Sequence, residues 1–166
     1  MTNMFPDRLR NLAMLILDDA EQARLKICTA ESCTGGLVAA LLTDIPGSST
    51  VFDRGFVTYS NRAKEEMLGV PGDVLADYGA VSEPVARMMA EGALEASRAN
   101  IAVAITGVAG PGGGTRMKPV GTVHVACARE NRAVVHEMLQ VGEIGRTEVR
   151  MAAVECALKL IQHQMS

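Results

Sequence analysis

Residues 26–42 read KICTAESCTGGLVAALL, and the fold follows from how this stretch divides. The short apolar run 27–30 has the length and flanks of a buried strand. It breaks into Glu31, Ser32, Cys33 and Thr34, then the pair Gly35 and Gly36, and an apolar, helix-favouring run follows at 37–42. Strand, glycine-bearing turn and helix in that order set a hydroxyl beside the positive end of a helix. Free backbone N–H groups there can hold an anion or a developing oxyanion. Ser32 and Thr34 are therefore the first candidates for chemistry. The same residues also suit a plain helix cap, with the glycines allowing close packing.

Outward from that centre the chain alternates. Before it, residues 1–26 carry Asp7, Arg8 and Arg10 ahead of an apolar patch at 12–17, then Asp18, Asp19 and Glu21. The patch is too short to span a bilayer and predicts an amphipathic first helix, with no targeting segment. After the centre comes a Pro-Gly-Ser loop at 44–50, then a strand at 51–60 containing a glycine. A short helix at 61–68 is closed by Gly69, and a turn with a short helical piece ends at Gly79. Ser82 caps a helix predicted over 82–100, with Pro84 in its first turn. The run IAVAIT at 101–106 is continuously apolar, as in a central strand buried on both faces. A glycine-rich loop at 107–119 precedes a hairpin of 120–128 with 133–141, and a closing helix is predicted over 143–162. No repeat and no linker interrupts residues 1–166. The pattern predicts one α/β domain, a three-layer α/β/α sandwich with a mixed sheet. Loops beyond the carboxyl ends of its strands would form the binding site. There Ser32 could meet the 107–119 loop and the 44–50 loop.

Composition narrows the function. A chain of 166 residues, 48% hydrophobic, is long enough for a real core. Aromatics are only 3% with no Trp, which argues against a reader of single-stranded nucleic acid. The formal net charge is -3 and no Lys/Arg cluster stands out, so a polyanionic partner has no footprint. Cys28, Cys33, Cys127 and Cys156 show no CxxC spacing, which points to free thiols in a reducing cytoplasm. With only three scattered histidines there is no zinc constellation.

A serine nucleophile needs a proton acceptor, and neither a GxSxG elbow nor a histidine in hydrolase context is present. His124 and His136 fall in the hairpin. A lysine kept neutral by burial or cationic neighbours can serve instead. Of Lys26, Lys64, Lys118 and Lys159, the first precedes the central strand and the last sits late in the closing helix. Lys118, on the glycine-rich loop, could pair with a phosphate. Lys64 follows Tyr59, Ser60 and Asn61 at a strand-to-helix junction, where it is either a base or a solvated helix lysine. Ser48, Ser60 and Cys33 compete with Ser32, although alternation would point Cys33 away from the site.

Six ordered motifs carry a resemblance: TAESCTGG at 29–36, DIPGSS at 44–49, GFVTYSNRAK at 55–64, GAVSEPVA at 79–86, TGVAGPGGG at 106–114 and KPVGTVHVA at 118–126. Together they resemble the CinA carboxy-terminal family, whose characterised members include the PncC nicotinamide mononucleotide amidohydrolases. The resemblance covers nearly the whole chain and implies a compact α/β/α fold. It further implies a stand-alone deamidase form lacking the amino-terminal CinA domain.

The activity implied is hydrolysis of the carboxamide of nicotinamide mononucleotide, with no cofactor and no metal, by a cytoplasmic enzyme of pyridine nucleotide recycling. By the motifs Ser32 is the nucleophile, Lys64 the base, and Tyr59 assists by orienting the amine or relaying a proton. Backbone N–H groups at Thr34, Gly35 and Gly36 would face the oxyanion. The phosphate would be held by the glycine loop, with Thr106, Gly107, Gly110 and Gly112, while Gly47 and Ser48 line the other side. Arg146 matches the arginine of the family's GDR segment, although Ile144 and Gly145 replace its Gly-Asp. Oligomeric state stays open, a homo-oligomer included. The rival readings are a non-catalytic pyridine-nucleotide-binding or interaction module and, last, a phosphotransferase. The latter lacks a GxxxxGK[ST] motif and an acidic pair placed for magnesium.

Overall fold

The computed structural model describes residues 2–166. Helix α1, Asp7–Gln22, leads into strand β1, Ile27–Glu31, and helix α2, Leu37–Thr43. Strand β2, Phe52–Val57, is followed by three helices: α3 at Asn61–Leu68, α4 at Gly72–Tyr78 and α5 at Glu83–Glu95. Strands β3, Ile101–Gly107, β4, Thr122–Arg129, and β5, Val135–Gln140, precede the closing helix α6, Arg146–Met165. The five strands form one mixed sheet in the order β2-β1-β3-β4-β5. β1 is parallel to both neighbours, whereas β4 and β5 are antiparallel additions.

The period-2 alternation of β3 explains how helices cover both faces. Ile101, Val103 and Ile105 pack with Val123, Val125 and side chains of α1, α2 and α6 in one core cluster. Ala102 and Ala104 join Cys28, Ala30, Ala126 and Ala128 in a second cluster with Val85, Met89 and Ala93 of α5. The alanine face lets α5 lie close to the sheet. At Gly92 of α5 a Cβ would fall 1.9 Å from the Leu68 carbonyl oxygen, so this helix meets the end of α3 almost without clearance.

Two helices depart from the sequence expectation. α6 begins at Arg146 rather than at 143, because Gly142 and Gly145 have φ of 75° and 111° and keep the preceding residues out of the helix. α5 stops at Glu95 rather than continuing to 100. Ser97 Oγ there donates to the Leu94 carbonyl and accepts from Ala99 N–H, an alternative to helical bonding.

β1 is where the chain's path switches sides. It has β2 on one flank and β3 on the other, and the connections leave over opposite faces: α2 on one, α3 to α5 on the other. A crevice at the carboxyl ends of β1, β2 and β3 follows from that topology.

Candidate active site

The turn after β1 projects Ser32 into this crevice. Its N–H donates to the Ile105 carbonyl of β3 at 3.0 Å, and the Gly35 N–H closes the turn on the Ser32 carbonyl at 3.0 Å. Lys64 enters from the first turns of α3. Ser60 caps that helix, its Oγ accepting from Ala63 N–H at 3.0 Å. Lys64 stands one turn beyond that cap, its N–H donating to the Ser60 carbonyl at 3.2 Å. The lysine is 1% exposed, and its Nζ lies 2.9 Å from Ser32 Oγ.

The reading of Lys64 as a solvated helix residue is thereby excluded. Burial pushes its pKa down from 10.5 to about 8. Two backbone carbonyls complete the environment, Thr58 O at 2.7 Å and Tyr59 O at 3.4 Å from Nζ. A neutral amine has two N–H donors and one lone pair. With the carbonyls accepting the two donors, the lone pair is left to accept the Ser32 hydroxyl proton.

A cavity of about 280 Å³ opens over this pair. Ser32, Tyr59, Lys64, Thr106, Gly107, Gly110, Gly112 and Arg146 all line it, so most of the residues singled out in the sequence converge. Arg146, the first residue of α6, donates to the Gly110 carbonyl at 2.7 Å and to the Tyr59 hydroxyl at 3.3 Å. The Ile144-Gly145 replacement therefore leaves Arg146 at the cavity. Thr106 donates through Oγ1 to the Ala80 carbonyl at 2.9 Å, tying the loop before α5 to β3. No carboxylate is among the lining residues, whereas Lys64 and Arg146 are basic, so the cavity favours an anionic group.

Other expectations are corrected. Thr34, Gly35 and Gly36 do not line the cavity. The start of α2 already holds an anion of its own, the Glu31 carboxylate, which is 1% exposed. It accepts from Thr34 Oγ1 at 2.7 Å and from the N–H groups of Val38 and Ala39 at 2.9 and 3.1 Å. Gly47 and Ser48 lie at the opposite end of the sheet, in a separate cavity against Met14 and Leu15 of α1. In a strand–helix–strand crossover the loop after the helix returns to the amino ends of the strands. Accordingly Lys26 Nζ, just before β1, donates to the Thr50 carbonyl at 2.7 Å. Lys118 donates to the Tyr78 carbonyl rather than facing the cavity. The Tyr59 hydroxyl meets Arg146, and its residue touches Lys64 through the main-chain carbonyl.

The rival nucleophiles are elsewhere, occupied or held as the neutral thiol. Ser60 is the α3 cap. Cys33 lines the same cavity, but it is 6% exposed and packs into the core cluster beside α2, where burial pushes its thiol up to about 11. All four cysteines are free and buried. His124 and His136 pair with each other, Nδ1 to Nε2 at 2.9 Å, on the face covered by α5. Among the described residues no three His, Cys, Asp or Glu side chains converge as a metal site, and no helix is long and apolar enough to cross a membrane. A larger cavity, about 630 Å³, lies between the ends of α1 and α6 and is lined by Asp19, Lys159, His163 and Ser166; the Ser166 hydroxyl there donates to the Gln162 carbonyl at 3.2 Å rather than to a base.

Sequence reasoning missed two residues that shape the site, Glu31 and Arg150. The signal for Arg150 is its spacing of four from Arg146, which puts both on one helix face. Glu31 was hidden by reading the α2 terminus as a place for a ligand.

The model of the CinA C-terminal domain matches residues 9–165. The chain belongs to the CinA C-terminal domain family. A solved competence/damage inducible protein, CihA from Agrobacterium tumefaciens, superposes with a TM-score of 0.98 at 52% identity, covering 99% of this chain and 100% of that one. A CinA superfamily protein from Escherichia coli gives 0.89 at 32% identity, over 99% and 95% of the two chains. Among curated relatives, a CinA-like protein of Akkermansia muciniphila is 62% identical over 118 residues, and one from Anaeromyxobacter is 47% identical over 159. These matches take in 71% and 96% of this chain but only 28% and 38% of those proteins, so the chain spans well under half the length of either. None of these names states a reaction.

Proposed function

We propose that this CinA-family domain is a Ser–Lys amidohydrolase that converts nicotinamide mononucleotide to nicotinate mononucleotide and ammonia, a step of pyridine nucleotide recycling. The observation that carries the proposal is the buried Lys64 amine 2.9 Å from Ser32 Oγ, with its pKa lowered to about 8. At pH 7 a group of that pKa is neutral in about one molecule in ten, against fewer than ~1 in 10³ for an ordinary lysine. That fraction suffices for a general base.

In the proposed reaction neutral Lys64 takes the Ser32 proton as Oγ bonds to the carboxamide carbon. The tetrahedral oxyanion collapses, the C–N bond breaks, and the Lys64 ammonium returns its proton to the departing nitrogen as ammonia. Lys64 then takes a proton from water, whose oxygen attacks the acyl ester. The ester C–O bond breaks, and the proton goes back to Ser32. The positive pyridinium ring makes its own amide more electrophilic.

Two features support a phosphate-bearing substrate. Arg146 stands on the cavity wall, with Nη2 on the exposed Tyr59 hydroxyl. Beside it the loop segment 109–114 turns through Gly110 and Gly113, both at φ of 84°, and its backbone can approach an anion without side chains in the way.

The test is ammonia release from nicotinamide mononucleotide by the purified protein, with and without chelator, beside a Ser32→Ala variant. Release that survives the chelator and disappears in the variant supports the proposal. Binding of the mononucleotide with no ammonia between pH 6 and 10, a range of about two units either side of the Lys64 value, would make the chain a pyridine-nucleotide-binding module. Near wild-type release by Ser32→Ala would end the Ser–Lys reading.

A further inference from the structure

The turn that presents Ser32 is held from outside by a side chain to which the proposed reaction gives no part. Arg150, one turn beyond Arg146 on α6, donates through Nε to the Cys33 carbonyl at 3.1 Å and through Nη2 to the Thr34 carbonyl at 3.2 Å. Two donors held in one rigid, planar guanidinium on successive carbonyls fix the orientation of both peptide groups.

The two peptides concerned are those immediately after the nucleophile. C=O and N–H point in opposite directions in a trans peptide. Holding the Cys33 carbonyl towards α6 therefore turns the Thr34 N–H away from it. Holding the Thr34 carbonyl does the same for the Gly35 N–H, which is the group that closes the turn on the Ser32 carbonyl. Gly35 makes the approach possible. Its φ of +57° suits glycine, and a Cβ at that position would already sit 3.4 Å from Arg150 Nη2.

The other restraints on the turn are internal to the sheet and α2: Ser32 N–H on the Ile105 carbonyl, and Glu31 on Thr34, Val38 and Ala39. They fix where the turn starts and ends. Of the carbonyls between, that of Thr34 also accepts from the Leu37 N–H at 3.0 Å, whereas among the described residues the Cys33 carbonyl is held by Arg150 alone.

We propose that Arg150 is a positioning residue for the nucleophile: by clamping the Cys33 and Thr34 carbonyls it keeps Ser32 Oγ in reach of Lys64 without touching substrate. The inference rests on the Ser–Lys reading. It divides the labour of α6 between two arginines on one face. Arg146 serves the wall where the substrate's anion would lie, and Arg150 serves the wall that carries the nucleophile. Misplacement of a reacting group by about 1 Å costs on the order of 10²-fold in rate. Loss of the clamp is therefore expected in kcat and not in KM, the reverse of the expectation for Arg146.

The experiment compares wild type, Arg150→Ala and Arg150→Lys. Covalent labelling of Ser32 by phenylmethanesulfonyl fluoride is followed by intact mass, alongside kcat and KM for ammonia release. Labelling needs the nucleophile and base but no mononucleotide, so it scores the positioning role separately from the choice of substrate.

Arg150→Ala is expected to label about 10²-fold more slowly, with KM unchanged. Arg150→Lys, keeping the charge but not the planar fork, should fall between. Millimolar guanidinium, far below denaturing concentrations, should restore part of the Arg150→Ala rate, which a merely loosened fold would not show. Should Arg150→Ala fail to fold, Arg150→Lys carries the same comparison. Labelling of Arg150→Ala at the wild-type rate, or an equally fast Arg150→Lys when Arg150→Ala is unfolded, overturns the proposal. Wild-type protein that does not label at Ser32 overturns the Ser–Lys reading and this inference with it. Wild-type labelling without ammonia release removes the substrate assignment alone.

Discussion

Replacing Lys64 by methionine should change how stability depends on pH, and the size of the change follows from the burial of the amine. Lys64 is 1% exposed, with a pKa brought down from 10.5 to about 8. In the unfolded chain it returns to the ordinary value, so between about pH 8 and 10.5 the unfolded state binds a proton that the native state does not. Stability must rise with pH across that window. Below pH 8 both states are protonated, and the folded protein bears the full cost of a buried ammonium, about 3 kcal/mol for a shift from 10.5 to 8. At pH 10 most of the native amine is neutral and the unfolded one is partly so, which recovers about 2.5 kcal/mol of that cost. Lys64→Met has no such group. It also leaves the Thr58 and Tyr59 carbonyls without their donor, but that penalty is independent of pH and only displaces its curve vertically.

The assay is urea unfolding of both proteins at half-unit steps from pH 7 to 10.5. Groups that titrate alike in the two proteins cancel in the difference. The expected result is a wild-type stability that gains about 2.5 kcal/mol on Lys64→Met between pH 7 and 10. Parallel curves would show that the amine is not desolvated in solution, and the argument for Lys64 as a base would lose its physical footing.

Three further outcomes are expected. The kcat/KM for ammonia release should climb with pH to half its plateau near the Lys64 value of about 8, and Lys64→Arg, which keeps charge but cannot accept a proton, should be inactive while still binding nicotinate mononucleotide; substantial turnover in Lys64→Arg would assign the base elsewhere. Arg146→Ala should raise KM more than it lowers kcat, because a phosphate contact mostly contributes uniform binding, and an unchanged KM in steady-state kinetics would confine Arg146 to its bonds with Gly110 and Tyr59. Gly92→Ala should lower the urea midpoint by the equivalent of about 2 kcal/mol or more, since its Cβ would stand 1.9 Å from the Leu68 carbonyl oxygen and α5 would have to move off α3; a midpoint within error of wild type would mean that this packing is looser than described.

The layers were legible in the sequence because each rests on local pattern. The apolar run 101–106 reads as a buried strand whatever surrounds it, and the span 61–68 became α3 with the expected bounds. The depth of Lys64 was not legible. Within α3 it stands among Arg62, Glu65 and Glu66, a setting that on periodicity alone describes a wet surface. Its burial is produced by the direction in which α3 leaves β2 and by α5 packed against α3, neither of which is encoded within one turn of residue 64. The 44–50 loop failed for a related reason. Its composition marks a loop, but only the crossover geometry says which end of the sheet it occupies, and it occupies the amino ends.

Glu31 shows how one local pattern can hide another. Small polar residues and glycines before a helix read as a place for an external anion, and the N–H groups of Val38 and Ala39 do hold one, but it is the carboxylate next to the nucleophile. An external anion at that spot would meet a buried negative charge, so the α2 terminus is closed to substrate. The basic and glycine-bearing wall at Arg146 and residues 109–114 is left to receive it. Nucleophile and anion site thus stand on different walls of one cavity, which suits a substrate with its reactive carbonyl at one end and its negative charge at the other. A small neutral amide would reach Ser32 without using Arg146. On this arrangement it should be hydrolysed without the dependence on Arg146 expected of the mononucleotide, a contrast that a kinetic comparison of the two substrates in the Arg146→Ala variant can measure.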